Sequence, residues 1–257
     1  VNVAEEHRLY TLQRLSKLVS MHQTSVRELQ SVSGSLGWLC FVLPEGRARR
    51  DEFFRTINHA HGQVARISKR LRRQIRWWIA VLSSRRHSSS RIWSKLSAPS
   101  SVLMRTDASG ITGFGVCVQN LHIFGRWRHK LGQVIENDML FKETLPIVIT
   151  TVLLAPHCVR HIFAASCDNA GAVFRINAGS SRNPLVQRLL RLLAMQISKY
   201  EVTPLVDWND REQPDAKHAD LLSKTFSTEQ WSSLPQSAKP SRSWLIDLII
   251  HDLNSGQ

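Results

Sequence analysis

Up to about residue 82, apolar positions recur at intervals of three and four, the spacing of helices that bury one face. Leu9, Leu12, Leu15 and Val19 predict a helix over 5–20. Ser25-x-x-Glu28 reads as a capping box opening a second helix that runs to about Cys40. Gly34 and Gly37 on that helix suggest close packing, and Pro44 and Gly46 end it. From Ala48 to Leu82 the pattern predicts one long helix, or two broken near Gly62. Its core-facing stripe holds Val64, Ile67, Leu71, Ile75, Trp78 and Leu82. Arg66, Lys69, Arg70 and Arg73 fall at i, i+3, i+4 and i+7, so four cations share another face. Trp77 and Trp78 read as core aromatics in preference to base-stacking platforms.

Ser83 to Ser101 is Ser-rich and basic, ends in Ala98-Pro99, and marks a domain boundary. Beyond it the period changes. Residues 102–106, 113–119 and 121–127 predict three short strands in a meander. A helix follows over 138–154, with Leu140, Ile147 and Leu154 apolar and Pro146 either in its first turns or kinking it. Val159–Cys167 predicts a buried strand ending at Asp168-Asn169, and 170–177 a short helix before Gly179. Asn183-Pro184 opens another helix, with Leu185, Leu189, Leu192 and Leu193 inward and Arg188 and Arg191 outward. A strand over 201–206 and a helix over 214–224 complete the set. The expected class is α/β, a mixed five-stranded sheet with flanking helices, preceded by a helical region. Three segments are expected: 1–98, 99–226, and a linker or tail over 227–257 with an amphipathic patch from Trp244 to Leu253.

Charge sharpens the division. The formal net charge is +14. Residues 1–100 hold 18 Lys/Arg against 6 Asp/Glu, whereas 101–257 hold 16 against 14. A polyanion partner, most simply nucleic acid, is the natural reading of the basic half, because each neutralised phosphate releases a counterion. A merely soluble basic surface is the alternative. The four cysteines, Cys40, Cys117, Cys158 and Cys167, form no C-x-x-C pair, which favours a reduced intracellular setting, cytoplasm or nucleus, over a disulfide framework. His157, Cys158 and His161 lie close together but lack the four-ligand spacing of structural zinc. No apolar run reaches the length of a membrane span. Val1 follows no initiator Met and opens no signal pattern, so a segment of a longer polyprotein is expected.

Four acids of the second half sit at element ends or on helices able to converge: Asp107, Glu143, Asp168 and Asp220. If the first and fourth strands of this half are parallel neighbours, Asp107 and Asp168 emerge at one edge, and the helices bring Glu143 and Asp220 over it. Clustered carboxylates repel and persist where a divalent cation neutralises them. Two Mg²⁺ ions (or Mn²⁺) held this way suit in-line phosphodiester cleavage. The alternative is four unrelated surface acids.

Thr-Asp-Ala-Ser-Gly at 106–110, Phe-Lys-Glu-Thr-Leu-Pro-Ile at 141–147, Ser-Cys-Asp-Asn-Ala at 166–170 and Ala-Asp-Leu-Leu-Ser-Lys at 219–224 resemble the four ribonuclease H motifs. More narrowly they resemble those of reverse transcriptases from DIRS-type, tyrosine-recombinase retrotransposons, a likeness extended by the 176–182 run Ile-Asn-Ala-Gly-Ser-Ser-Arg. Val26–Leu36, Gly46-Arg47 and Trp77-Trp78 resemble the thumb and connection that precede ribonuclease H in that family. The resemblance implies a ribonuclease H-like domain with Asp107, Glu143, Asp168 and Asp220 as catalytic metal ligands, Ser109 and Asn169 standing behind them, and Mg²⁺ as cofactor. It implies an RNA–DNA hybrid or primer-template duplex as partner, gripped by Arg66, Lys69, Arg70 and Arg73, with recognition by hybrid shape and 2′-hydroxyls. A polymerase upstream and a recombinase downstream in the parent polyprotein are further implications.

The chain also departs from the pattern. No Tyr/Phe-x-Asp-Asp polymerase motif occurs, so a nucleotide-adding centre is expected elsewhere. Ahead of the last acid, Asp207-Trp208-Asn209-Asp210-Arg211-Glu212-Gln213-Pro214 replaces His-x-Pro-Gly-x-x-Asn, and His218 falls within the last helix. A catalytically decayed nucleic-acid-binding module of the same element is therefore the rival reading. A transposase or integrase fits less well, since three acids are usual there.

Overall fold

The computed structural model describes residues 5–84, 101–118, 121–127, 135–208 and 214–224. Most of the Ser-rich boundary, the loop over 209–213 and the tail over 227–257 with its Trp244–Leu253 patch lie outside the described residues. Two compact units divide the chain, Val1–Ala98 and Pro99–Gln257.

The first unit is helical. Helix α1 spans Glu5–Ser20, strand β1 Gln23–Ser25 and α2 Val26–Val42. A short 3-10 turn over Pro44–Gly46 leads into α3, Arg47–Asn58. Strand β2 covers Val64–Arg66 and α4 Lys69–Ser83. Leu15, Leu18, Leu29, Val32, Leu36, Phe53, Leu71, Ile75 and Trp78 pack in one core. The buried face of α1 runs through Thr11, Leu15 and Leu18, leaving Leu9 exposed, a rotation from the expected stripe. Half of the capping box forms: Ser25 Oγ accepts from Glu28 N at 3.1 Å, but the Glu28 carboxylate accepts from Arg14 of α1 at 2.9 and 2.8 Å. Gly46 needs its hydrogen side chain, since a Cβ there would fall 2.2 Å from the Trp78 ring. Gly37 abuts Arg50, whereas Gly34 has nothing within 4 Å, so only one of the two expected glycine contacts exists.

Of the two alternatives for 48–82, the break near Gly62 is the one that forms, and it is wider than a single glycine. Gly62 takes φ +67, and β2 pairs antiparallel with β1, Gln23 opposite Arg66. Strand periodicity then exposes Val64 and Arg66 and buries Ala65 between them. Val64 therefore leaves the core stripe, and Arg66 leaves the helical face it was expected to share with Lys69, Arg70 and Arg73. Those three lie exposed on α4, with Arg76 exposed one turn further on. Arg72 turns the other way and donates to Val19 O and Met21 O at the end of α1, at 3.1 and 2.9 Å.

The second unit is a mixed sheet with helices against it. Its strands are β3 Ser101–Ala108, β4 Gly113–Val118, β5 Leu121–Arg126, β6 Ile162–Cys167 and β7 Thr203–Trp208, in the order β5-β4-β3-β6-β7. The meander β3–β4–β5 is antiparallel, and β6 and β7 add in parallel on the other side. The helices are α5 Met139–Leu154, α6 Ala170–Ala178, α7 Pro184–Tyr200 and α8 Pro214–Lys224. This is the ribonuclease H-like mixed five-stranded sheet with flanking helices.

Helix α5 runs through Pro146, buried along Phe141–Thr151 because it lies between the sheet and α7. Its start is set by Asp138, whose Oδ1 accepts from Phe141 N and whose Oδ2 accepts from Asn183 Nδ2 at 2.6 Å. Asn183 in turn caps α7 through Leu185 N and Val186 N, so one polar contact fixes two helix starts. Strand β6 begins at Ile162, after Arg160 takes φ 65 in the preceding turn, and Val159 is exposed. On α7, Val186, Leu189, Leu190, Leu193 and Ala194 are the buried set, with Leu185 and Leu192 only half-buried. Strand β7 begins and ends two residues later than expected, at Thr203 and Trp208.

Candidate metal centre

Strands β3 and β6 run parallel with Ser101 opposite Ile162 and Arg105 opposite Ser166. Continuing that offset by two residues sets Asp107 opposite Asp168, at neighbouring strand ends on one edge. Thr106 Oγ1 donates to Ser166 O at 3.3 Å and Arg105 donates to Ser166 Oγ, locking this register below the two acids. The turn after Asp107 is pinned as well. Ser109 Oγ accepts from Thr112 N at 3.1 Å, Trp127 Nε1 donates to Ser109 O at 2.7 Å, and buried Lys142 Nζ donates to Gly110 O and Glu136 O.

Glu143 follows Lys142 on α5 and is 1% exposed. Ligand atoms of Glu143, Cys167 and Asp168 all lie within 4.8 Å of one another. Cys167 Sγ donates to Glu143 Oε2 at 3.7 Å. Burial first, then the Glu143 carboxylate, pushes the Cys167 thiol far above its ordinary range, so it stays protonated and acts as a weak donor. Trp208, exposed at the end of β7, donates Nε1–H to Asp168 O at 3.0 Å.

Asp107 is 7% exposed and joins the edge through α8: Ser223 Oγ donates to Asp107 Oδ2 at 2.6 Å. Helix α8 can come this close because Gly115 of β4, paired with Asp107, carries no side chain. A Cβ there would lie 2.5 Å from Ala219 O and 2.9 Å from Ser223 N. Asp220 sits one turn before Ser223, but its Oδ1 is 2.5 Å from Lys224 Nζ of its own helix. Thus Glu143 and Asp168 come together, Asp107 stands at the adjoining strand end, and the Asp220 carboxylate is held by a lysine. Neither Asp107 nor Asp220 belongs to the 4.8 Å group.

The two residues expected to stand behind the ligands serve the backbone. Ser109 organises its turn, and Asn169 Oδ1 caps α6 by accepting from Ala172 N at 3.0 Å. Ser223, Lys224 and Cys167 carry contacts that sequence reasoning did not assign. Ser223 and Lys224 lie at i+3 and i+4 from Asp220, which is the signal that would have placed them on one helix face.

Chemically, Glu143 and Asp168 bring two carboxylates, hard oxygen donors, within 4.8 Å of each other, with buried Asp107 at the adjoining strand end. Such acids are costly to leave charged without a cation, and oxygen donors of this kind suit Mg²⁺ or Mn²⁺ over soft ions. A neutral thiol adds nothing to such a set as a ligand. The residues fit a divalent cation held by oxygen.

No family model matches the chain, and no curated protein matches it in sequence. Solved structures of a foamy viral protease-reverse transcriptase show distant similarity. The complex with RNA/DNA hybrid is 12% identical at a TM-score of 0.33, covering 93% of this chain and 30% of that one. The dRH form with double-stranded DNA is 11% identical at 0.31, covering 80% and 35%, and another complex with double-stranded DNA is 12% identical at 0.30, covering 79% and 42%. The chain spans less than half the length of each. At these TM-scores the likeness carries no weight, and the fold assignment stands on strand order and helix placement. No helix among the described residues is long and apolar enough to cross a membrane.

Proposed function

We propose that residues 99–226 are a metal-dependent ribonuclease H-type endonuclease that cleaves the RNA strand of an RNA–DNA hybrid, and that 1–98 is the thumb and connection-like region that grips the duplex. The observation that carries this reading is the pairing of Glu143 with Asp168 within 4.8 Å, at the edge where Asp107 ends the adjoining parallel strand. Asp107, Glu143 and Asp168 would hold the cations, two Mg²⁺ ions in this reading, with Asp220 completing the set. When bound, such ions supply an activated water and charge relief for the departing 3′ oxygen.

The chain's own residues set the geometry. Ser223 orients the Asp107 carboxylate. The Cys167 thiol engages one oxygen of Glu143. Asp220 leaves Lys224 at small cost, because an exposed i,i+4 ion pair is worth only about 0.3–0.5 kcal/mol. The cations of α4, Lys69, Arg70 and Arg73, with Arg66 beside them in sequence, are the proposed contacts to phosphate.

The origin proposed for the chain is a DIRS-type retrotransposon reverse transcriptase, with a polymerase encoded upstream and a recombinase downstream, on the order of the four motifs. The departure of the sequence ahead of the last acid, Asp207 to Pro214, favours one rival, a decayed module that still binds duplex but no longer cuts. Cleavage of a labelled RNA–DNA hybrid in Mg²⁺ decides between them. Cutting that is lost in Asp168→Asn supports the nuclease. Salt-sensitive binding of the hybrid without cutting supports the decayed module.

A further inference from the structure

Helix α8 covers the sheet face that Gly115 presents, and strand alternation puts Cys117, two residues on, towards the same face. The β4–β5 register places His122 directly opposite Cys117. From α8 itself comes His218, whose ring lies 4.6 Å from that of His122 at an interplanar angle of 47°. Ligand atoms of Cys117, His122 and His218 all fall within 4.8 Å of one another. A second observation points to a ligand: His122 Nδ1 is buried and has no hydrogen-bond partner among the described residues.

We propose that Cys117, His122 and His218 form a second metal site, distinct in chemistry from the carboxylate edge, that takes zinc or a cation of the same class. One sulfur and two imidazole nitrogens suit Zn²⁺ and Co²⁺ and disfavour Mg²⁺, which demands oxygen. Tetrahedral zinc, with bonds of about 2.0–2.3 Å, sets its donors roughly 3.3–3.8 Å apart, so small side-chain adjustments close the set. Binding releases the Cys117 thiol proton to solvent as the metal–sulfur bond forms, and the fourth position is left to water. The ion would staple α8 to the β4–β5 hairpin and so hold the helix that carries Ser223 and Asp220. The nuclease reading is not required for this site, and the site's failure would leave that reading untouched.

The test uses the full 257-residue chain, stripped with chelator and titrated with Zn²⁺ or Co²⁺ in excess Mg²⁺. One equivalent of Co²⁺ should give a thiolate-to-Co(II) charge-transfer band. The band should vanish in Cys117→Ser and persist in Cys167→Ser and Asp168→Asn. His218→Gln, on an exposed helix position, should weaken Zn²⁺ binding by about tenfold or more, at least as much as losing a group behind a metal ligand does. No band in the native chain overturns the proposal, as does a band lost in Cys167→Ser but kept in Cys117→Ser. If Cys117→Ser does not fold by circular dichroism, His218→Gln decides, and unchanged zinc affinity there sinks the site.

Discussion

Gly115 shows how one residue can govern a site without touching its chemistry. In sequence it falls inside the strand predicted over 113–119, with nothing to mark it as a point of close approach. In the structure it is the point where α8 rests on the sheet, with backbone atoms of the helix 2.5 and 2.9 Å from where a Cβ would be. Gly115→Ala must displace α8, at a cost of about 1–3 kcal/mol. Gly34 is the control: it lies exposed in α2 with nothing within 4 Å, so Gly34→Ala should stabilise its unit by about 0.5–1 kcal/mol. Urea denaturation of both variants should move the midpoints in opposite directions, and a destabilising Gly34→Ala would contradict the packing described. At this scale motif order singles out Asp107, Glu143, Asp168 and Asp220, and of these the structure brings Glu143 and Asp168 within 4.8 Å of each other. Ser223 and Cys167 stood inside the same motifs without a role, since their partners are set by the fold: Ser223 reaches 116 residues back to Asp107, whereas Lys224 pairs locally with Asp220.

At the scale of elements, the helices and strands of the second unit were readable from period and capping, because Asn183-Pro184 and the apolar runs are local signals. The break between α3 and α4 was readable at Gly62, but the strand inside it was not, because β2 exists only by pairing with β1 across about forty residues. That pairing moves Arg66 off the helix and Val64 out of the core. A related substitution of partners occurs at Glu28, which commits its carboxylate to Arg14 and so ties α1 to α2. The Arg14 hydrogen bond holds the Glu28 carboxyl below its ordinary value. A depressed carboxylate contributes stability above its unfolded pKa and loses it as pH falls through the folded one. Both side chains are partly exposed, so the contribution is at most about 1 kcal/mol. Glu28→Gln should therefore be slightly less stable than the native chain at pH 7, and the gap should close below the ordinary carboxylate range. A gap of equal size at pH 7 and pH 3 would rule out the ion pair as its source.

For the whole molecule, the uneven charge between the two halves remains the most direct signal of a polyanion partner. Lys69, Arg73 and Arg76 are exposed on α4 with no ion pair among the described residues, and Arg70 is exposed beside them. If Lys69, Arg70 and Arg73 neutralise phosphates, replacing all three by Gln should lower the slope of log affinity against log salt by about 2–3, near 0.9 for each phosphate that loses its cation. An unchanged slope in hybrid binding would remove α4 from the interface. The carboxylate edge and the Cys117–His122–His218 cluster draw on different donor atoms, so loading with Mg²⁺ and with Zn²⁺ should be separable in one preparation.

The proposed nuclease requires the edge formed by Asp107, Glu143 and Asp168 to cut RNA paired to DNA. It is tested most directly by single-turnover cleavage of an end-labelled RNA–DNA hybrid in Mg²⁺, comparing the native chain with Asp168→Asn. The native chain should release RNA fragments while Asp168→Asn binds the hybrid normally and cuts at least about a hundredfold more slowly, the scale of losing one charge-stabilising group. Equal cutting by both proteins would contradict the assignment.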